Sequence, residues 1–324
     1  MTCNVTQGQV RVLSGNDIAK LLPLPTCIEL MKTALAATSR GDVIQPLRQV
    51  IGLPGNDGAL SLMPGALADP RCFGAKVVSV FHGNFAIGRP SHQGVVVLFE
   101  PERGSLVALM DATEITARRT AAVSAVATDV LARREAGDLA ILGYGQQASV
   151  HLAAMCAVRT IRRVRVWGRS SASAQKFAAR ESEKHGVSVE SVSTAAACVR
   201  HADIICTTTS AESPVLNGAD ISLGAHLNLV GSSVPETAEV DAETLKRARV
   251  FVDFREAALV QGGELRRAMA SGEISPAHVL GEIGEVVLGR VEGRRTDTDI
   301  TLFKSLGLAA EDLVAASTAR SSRS

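Results

Sequence analysis

The run Leu139-Ala140-Ile141-Leu142-Gly143-Tyr144-Gly145-Gln146-Gln147-Ala148 constrains this chain more than any other segment. Four apolar residues read as a buried strand and enter a glycine turn. The following Ser149-Val150-His151-Leu152-Ala153-Ala154-Met155 reads as a helix. Glycine permits the tight turn and lets backbone approach a phosphate closely. The free amides at the helix start then face a pyrophosphate. Ala148 stands where a third glycine is usual, and its task is close packing. A glycine pair alone is a weak signal. A strand before it, a helix after it and a second strand about twenty residues on make it specific. The segment predicts a Rossmann dinucleotide site with Gly143, Gly145, Gln146, Gln147 and Ala148 at the cofactor. The bland alternative is a glycine turn with no ligand.

The second strand ends in Trp167-Gly168-Arg169-Ser170. A site for NAD usually carries an acidic residue there, bound to the ribose 2′-hydroxyl. None is present. Arg169 can instead pair with a 2′-phosphate, and the hydroxyls of Ser170 and Ser171 can donate to it. That points to NADPH, with NADH as the alternative and a solvated loop arginine as the bland reading.

Around this segment the chain changes character twice. Ser14 and Asp17 fit a capping box, and Pro25 can open a second helix carrying Ile28, Leu30, Met31, Leu35 and Ala36. From about Leu47 to Met110, short apolar runs alternate with turns such as Gly55-Asn56-Asp57-Gly58, which predicts an antiparallel sheet. A long helix is expected from about Thr113 to Arg133. After Gly137, strand-like runs separated by helix-like ones predict a parallel sheet covered by helices. The final Ser-Thr-Ala-Arg-Ser-Ser-Arg-Ser reads as a frayed tail.

Composition mainly excludes. A net charge of +1 and 3% aromatic residues argue against nucleic acid or an anionic membrane as partner. The six cysteines are scattered without a ligand spacing, so buried free thiols are expected and no metal. The N-terminus lacks a signal-peptide pattern and no apolar run is long enough to span a bilayer, so a cytoplasmic protein is expected.

Four separated segments resemble the ornithine cyclodeaminase/mu-crystallin family, in the family's order and over nearly the whole chain. They are MDATEITARRTAAVSAVATDVLA, ILGYGQQA, HLNLVGSSVPETAEVDAETLKRARVFVD and LGEIGEVVLGRVEGRRTDTDITLFKSLGLAAEDL. The resemblance implies an α/β chain: a Rossmann domain at residues 119–300 plus a discontinuous α+β substrate and dimerisation domain at 1–118 and 301–324. It implies a homodimer. Its members include cyclodeaminases, alanine dehydrogenases, ketimine reductases and a hormone-binding crystallin, so it fixes fold and cofactor better than reaction.

The resemblance also places the chemistry. Arg48, after Gln45-Pro46-Leu47, resembles the family's first carboxylate-binding arginine, Lys76 its active-site lysine, and Arg119 the second arginine, with Arg118 as neighbour and alternative. An ammonium in an apolar strand is costly unless it is used, which favours function for Lys76. It could bind a carboxylate or pass a proton to nitrogen. On a helix of small residues, the bland reading of Arg119 is a solvated face. Thr120 beside Arg119, His92, Thr207 and Thr208 at a strand end, Gly231, and Ser305 are further expected cofactor contacts.

Ser233, expected at the substrate, lies where ornithine cyclodeaminases carry an aspartate, and a serine hydroxyl is a poor base at neutral pH unless a partner base assists it. Asp253 and Glu256 read as structural caps, and Asp241 as a helix cap. Together these predict an NADPH-dependent reductase of a small cyclic imino acid. Cyclodeamination, amino-acid dehydrogenation and ligand binding without catalysis are the alternatives.

Overall fold

The computed structural model describes residues 10–55 and 58–322. Asn56 and Asp57 of the expected hairpin turn, and Cys3, lie outside the described residues. The chain forms two compact units: Met1–Arg119 with Leu308–Ser324, and Thr120–Gly307.

The first unit begins with β1 (Arg11–Leu13), α1 (Gly15–Leu21) and α2 (Leu24–Arg40). Ser14 and Asp17 form the reciprocal capping box that their spacing suggests. Helix α2 carries Pro25 in its first turn and buries Cys27, Ile28, Met31 and Leu35 on one face. Strands β2 (Val43–Ile44), β3 (Gln49–Gly52), β4 (Ala59–Leu67), β5 (Cys72–Val80), β6 (His92–Phe99) and β7 (Leu106–Asp111) follow. They join in the order β1-β7-β6-β5-β4-β2, with β3 also on β4. All pairs are antiparallel except β1 with β7. Lys76 lies on the central β5, opposite Met63 of β4 and Val96 of β6.

Helix α3 (Ala112–Leu131) carries the chain into the second unit. Its residues from Ala121 to Thr128 are completely buried. A helix built of Ala, Val, Ser and Thr can be enclosed on every side because it presents little bulk, and its buried hydroxyls find partners on other elements, Ser124 with His151 and Thr128 with Met155 and Asn228.

The second unit contains β8 (Asp138–Leu142), α4 (Gln146–Val158), β9 (Arg163–Trp167), α5 (Ser171–His185), β10 (Val189–Ser191), α6 (Ala195–Val199), β11 (Ile204–Thr207) and β12 (His226–Leu229). It continues with α7 (Ala242–Arg247), β13 (Ala248–Val252), α8 (Arg255–Gln261), α9 (Gly263–Ala270), β14 (Val279–Glu282), α10 (Ile283–Val287) and β15 (Ile300–Lys304). The strands form a parallel sheet in the order β10-β9-β8-β11-β12-β15-β13-β14. Strand order reverses at β8, and open sheets of this kind bind ligands in the crevice beyond the carboxyl ends of strands at such a point.

Three expectations need correction. Residues 301–307 belong to the second unit, because Ile300–Lys304 is a fully buried strand between β12 and β13. The expected frayed tail is helical as far as Ser321, its last two residues lying outside the described residues: α11 (Ala309–Ser321) packs over β4, β5 and α2, and Ala315, Ala316 and Ala319 are completely buried. Cys156 is exposed, whereas Cys27, Cys72, Cys198 and Cys206 are buried free thiols as expected. Asp241 does cap α7, and the Asp253 carboxylate accepts from the amides of Phe254, Leu306 and Gly307, a structural part.

Candidate active site

In the first unit, Lys76 and Arg119 come together around two acids that sequence reading missed. Lys76 Nζ lies 2.6 Å from Asp312 Oδ2, and Thr116 Oγ1 accepts from it at 3.5 Å. Arg119 donates through Nε to Asp312 Oδ1 at 3.0 Å and through Nη1 to Glu311 Oε2 at 2.8 Å. All four side chains are at most 5% exposed. Glu311 and Asp312 occupy the first turn of α11, where a carboxylate is favoured by the helix dipole. The available signal was an acidic pair inside an otherwise apolar helix, Ala309-Ala310-Glu311-Asp312-Leu313.

This environment sets the charges. Burial pulls the Lys76 ammonium down to about 8; Asp312 resists that pull, while Arg119 and Arg48 add to it. Burial alone would raise the Asp312 carboxyl, but Arg119 and Lys76 outweigh it and hold it below the usual range. Arg48 is half-buried in the loop between β2 and β3 and acts on Lys76 electrostatically. Arg118, the weighed alternative, instead bonds Glu114 and the Leu22 carbonyl. The bland reading of Arg119, a solvated helix face, is therefore wrong. Exposed His92 opens β6 opposite Val80, its ring bonded to Ser91.

In the second unit, the glycine turn joins β8 to α4. Gly143 has φ +122°, and a Cβ there would lie 2.5 Å from Thr208 Oγ1. Only glycine suits that position. Gly145 differs: a Cβ would meet nothing within 4 Å, so its backbone borders open space. Ala148 is completely buried, as close packing requires. Two polar atoms of this unit, Thr120 Oγ1 and Gln147 Oε1 at the start of α4, are buried without a hydrogen-bond partner. Buried polar atoms are rarely left so. A turn with open space over one glycine, a helix N-terminus and two unsatisfied polar atoms fit a dinucleotide.

Buried His151 fixes the start of α4. Its ring bonds the Gln147 carbonyl through Nδ1 at 2.8 Å and Ser124 Oγ through Nε2 at 3.0 Å. Burial pushes its pKa down to about 4, so it is neutral.

Arg169 is exposed beyond β9 and makes no ion pair among the described residues, while Ser170 caps α5 and accepts from the Ser173 amide. Thr208 Oγ1 donates to the Leu142 carbonyl. Gly231 and Ser233 lie in the turn after β12, and Ser305 follows β15 at 2% exposure. Thr207 corrects an expectation: it is completely buried and its hydroxyl is consumed by Glu239 at 2.6 Å, so its side chain works inside the protein. Among the described residues no cluster of acidic, histidine or cysteine side chains is suited to a metal, and no helix is long and apolar enough to cross a membrane.

The model of the ornithine cyclodeaminase/mu-crystallin family matches residues 9–323. The chain belongs to that family. Among its relatives in the family, the ketimine reductase mu-crystallin of Mus musculus is 40% identical over 289 residues, 88% of each chain. A Delta(1)-pyrroline-2-carboxylate reductase of Bacillus cereus is 34% identical over 306 residues, 94% of each. The structure of the Thermococcus litoralis Delta(1)-pyrroline-2-carboxylate reductase, in complex with NADH and L-proline, matches with a TM-score of 0.94 at 36% identity over 96% of each chain. An archaeal alanine dehydrogenase dimer with bound NAD matches at 0.90 and 30% identity, over 96% of this chain and 95% of that one.

Proposed function

We propose that this chain is an NAD(P)H-dependent reductase that converts cyclic ketimine carboxylates, Δ1-pyrroline-2-carboxylate and Δ1-piperideine-2-carboxylate, to proline and pipecolate. The observation that carries this reading is the buried Lys76 ammonium, pulled to about 8 beside Asp312 and Arg119. Relatives named for this reaction support it.

The first unit holds the substrate and the second the dinucleotide. Arg48 and Arg119 bind the substrate carboxylate, with Glu311 and Asp312 locking the Arg119 guanidinium in place. Lys76 stays protonated at neutral pH, yet its lowered pKa lets it give a proton to the imine nitrogen and keep the ring an iminium. A bound nicotinamide supplies the hydride to the imine carbon. Gly143, Gly145 and the amides of Gln146 and Gln147 hold the pyrophosphate. Thr120 and Gln147 direct their unsatisfied oxygens to the cofactor. Arg169 and Ser170 take the 2′-phosphate, which selects NADPH over NADH.

Ser233 in place of a carboxylate disfavours deamination, since a serine hydroxyl is a far weaker base than a carboxylate toward an amine or water. The protein works as a cytoplasmic homodimer. The dimer face is the apolar edge of the first unit, where Ile44, Val50, Ile51, Leu53 and Leu60 are all more than 40% exposed.

The test is NADPH consumption with both ketimines, beside ammonia release from ornithine and lysine. Reduction without ammonia release is expected. Conversion of ornithine to proline without ketimine reduction would overturn the reading.

A further inference from the structure

Behind the turn that carries Gly231 and Ser233, the second unit buries three charged side chains, Glu239, Glu264 and Lys304, each at 2% exposure or less. Glu239 accepts four hydrogen bonds. Its Oε2 takes Thr207 Oγ1 at 2.6 Å and the Gly231 amide at 2.7 Å. Its Oε1 takes the Thr209 amide and the Thr209 hydroxyl, both at 2.7 Å. An ionised carboxylate offers about four acceptor sites and no donor. Here every one is filled by a donor.

A second layer holds the same turn. The Glu239 amide donates to Glu264 Oε1 at 3.0 Å, Glu264 pairs with Lys304 at 3.1 Å, and Lys304 donates to the Ser232 carbonyl. The turn is thus gripped by a carboxylate at the Gly231 amide and by an ammonium at the Ser232 carbonyl. Burial raises the Glu239 carboxyl above its ordinary range, while Lys304 and the hydroxyls of Thr207 and Thr209 oppose the rise.

Topology tells what the turn borders. Strand order reverses at β8, so a dinucleotide lies across the carboxyl end of β8, with one nucleotide toward β9 and the other toward β11 and β12. Arg169 follows β9. Thr207 ends β11, Thr209 lies just beyond it, and Gly231 follows β12. Glu239 therefore ties together the two strand ends on the side away from Arg169.

We propose that Glu239 is a positioning residue for the nicotinamide half of the dinucleotide, setting the main chain at Thr207–Thr209 and Gly231. This rests on the reading of the chain as a nicotinamide enzyme. Charge and hydrogen-bond polarity are both required. A glutamine at 239 has one oxygen and one amide nitrogen, so either the Gly231 amide or the Thr209 amide would face a donor.

The experiment compares wild type, Glu239→Gln and Thr209→Val for binding of NADPH and of its adenosine half alone, 2′,5′-ADP, by calorimetry, with Tm recorded alongside. Glu239→Gln is expected to weaken NADPH at least about tenfold while 2′,5′-ADP stays within about twofold. Thr209→Val keeps the backbone and removes one hydroxyl, and is expected to weaken NADPH about threefold; it decides the matter if Glu239→Gln does not fold. Unchanged NADPH binding in the folded variants, or equal weakening of both ligands, would overturn the proposal alone. A wild type that binds no dinucleotide would overturn the nicotinamide reading itself.

Discussion

Lys76 Nζ and Asp312 Oδ2 stand 2.6 Å apart with both side chains enclosed, and the same carboxylate also receives Arg119. One acid near the end of the chain thereby orients two cations brought by a central strand and a long helix. Leaving buried ions without a partner costs roughly 3–5 kcal/mol. Asp312→Asn is expected to lose stability on that order, read as a fall in Tm.

The same substitution gives a pH prediction. Asp312 holds the Lys76 pKa up against burial, to about 8. In wild type, kcat/KM for ketimine reduction should fall as pH rises through about 8, because the acid loses its proton. Removing the Asp312 charge lowers the Lys76 pKa further, so Asp312→Asn should move this alkaline limb to lower pH. A limb that stays in place, in a pH–rate series on folded protein, would remove Lys76 as the acid.

Two glycines in one turn should respond oppositely. Gly145 has φ −87° and ψ −167°, which a β-branched residue adopts, and nothing lies near its Cβ. Gly145→Val should keep its Tm and lose about tenfold or more in NADPH affinity, because the side chain fills the space meant for phosphate. Gly143→Ala, at φ +122° and 2.5 Å from Thr208 Oγ1, should instead lower Tm. Circular dichroism and a binding titration separate the two.

Arg169→Asp should narrow or reverse cofactor preference, since aspartate repels a 2′-phosphate and accepts from a 2′-hydroxyl. A change of about tenfold or more in the NADPH-to-NADH ratio of kcat/KM is expected. A wild type that prefers NADH would refute the assignment of Arg169.

The exposed strand β3 offers a test of assembly. Ile51 is 64% exposed and Val50 55% exposed. Ile51→Lys, which touches no core, should shift the sedimentation of a wild-type dimer toward monomer with little change in Tm. A wild type that sediments as a monomer at micromolar concentration would refute the dimer.

What sequence alone determined was local. The Gly143–Ala148 turn, the Ser14–Asp17 capping box, the Asp241 cap and the strand-and-helix alternation after Gly137 each depend on neighbours within a few residues, where backbone geometry restricts residue type directly. Choosing Arg119 over Arg118 needed the register of a family motif; in the fold the two side chains have different partners, Glu311 and Asp312 for Arg119 and Glu114 and the Leu22 carbonyl for Arg118.

Tertiary structure decided the charges. Glu311 and Asp312 lie nearly two hundred residues from Arg119, and Glu239 meets Thr207, Thr209 and Gly231 only where β11 and β12 end side by side. An acidic residue carries no local mark of the partner it will meet. Burial raises the cost of its charge, and whether that cost is met depends on which distant strands and helices converge on it. For the same reason the Lys76 pKa, the enclosure of α3 and the docking of the C-terminal helix became visible only in the folded chain.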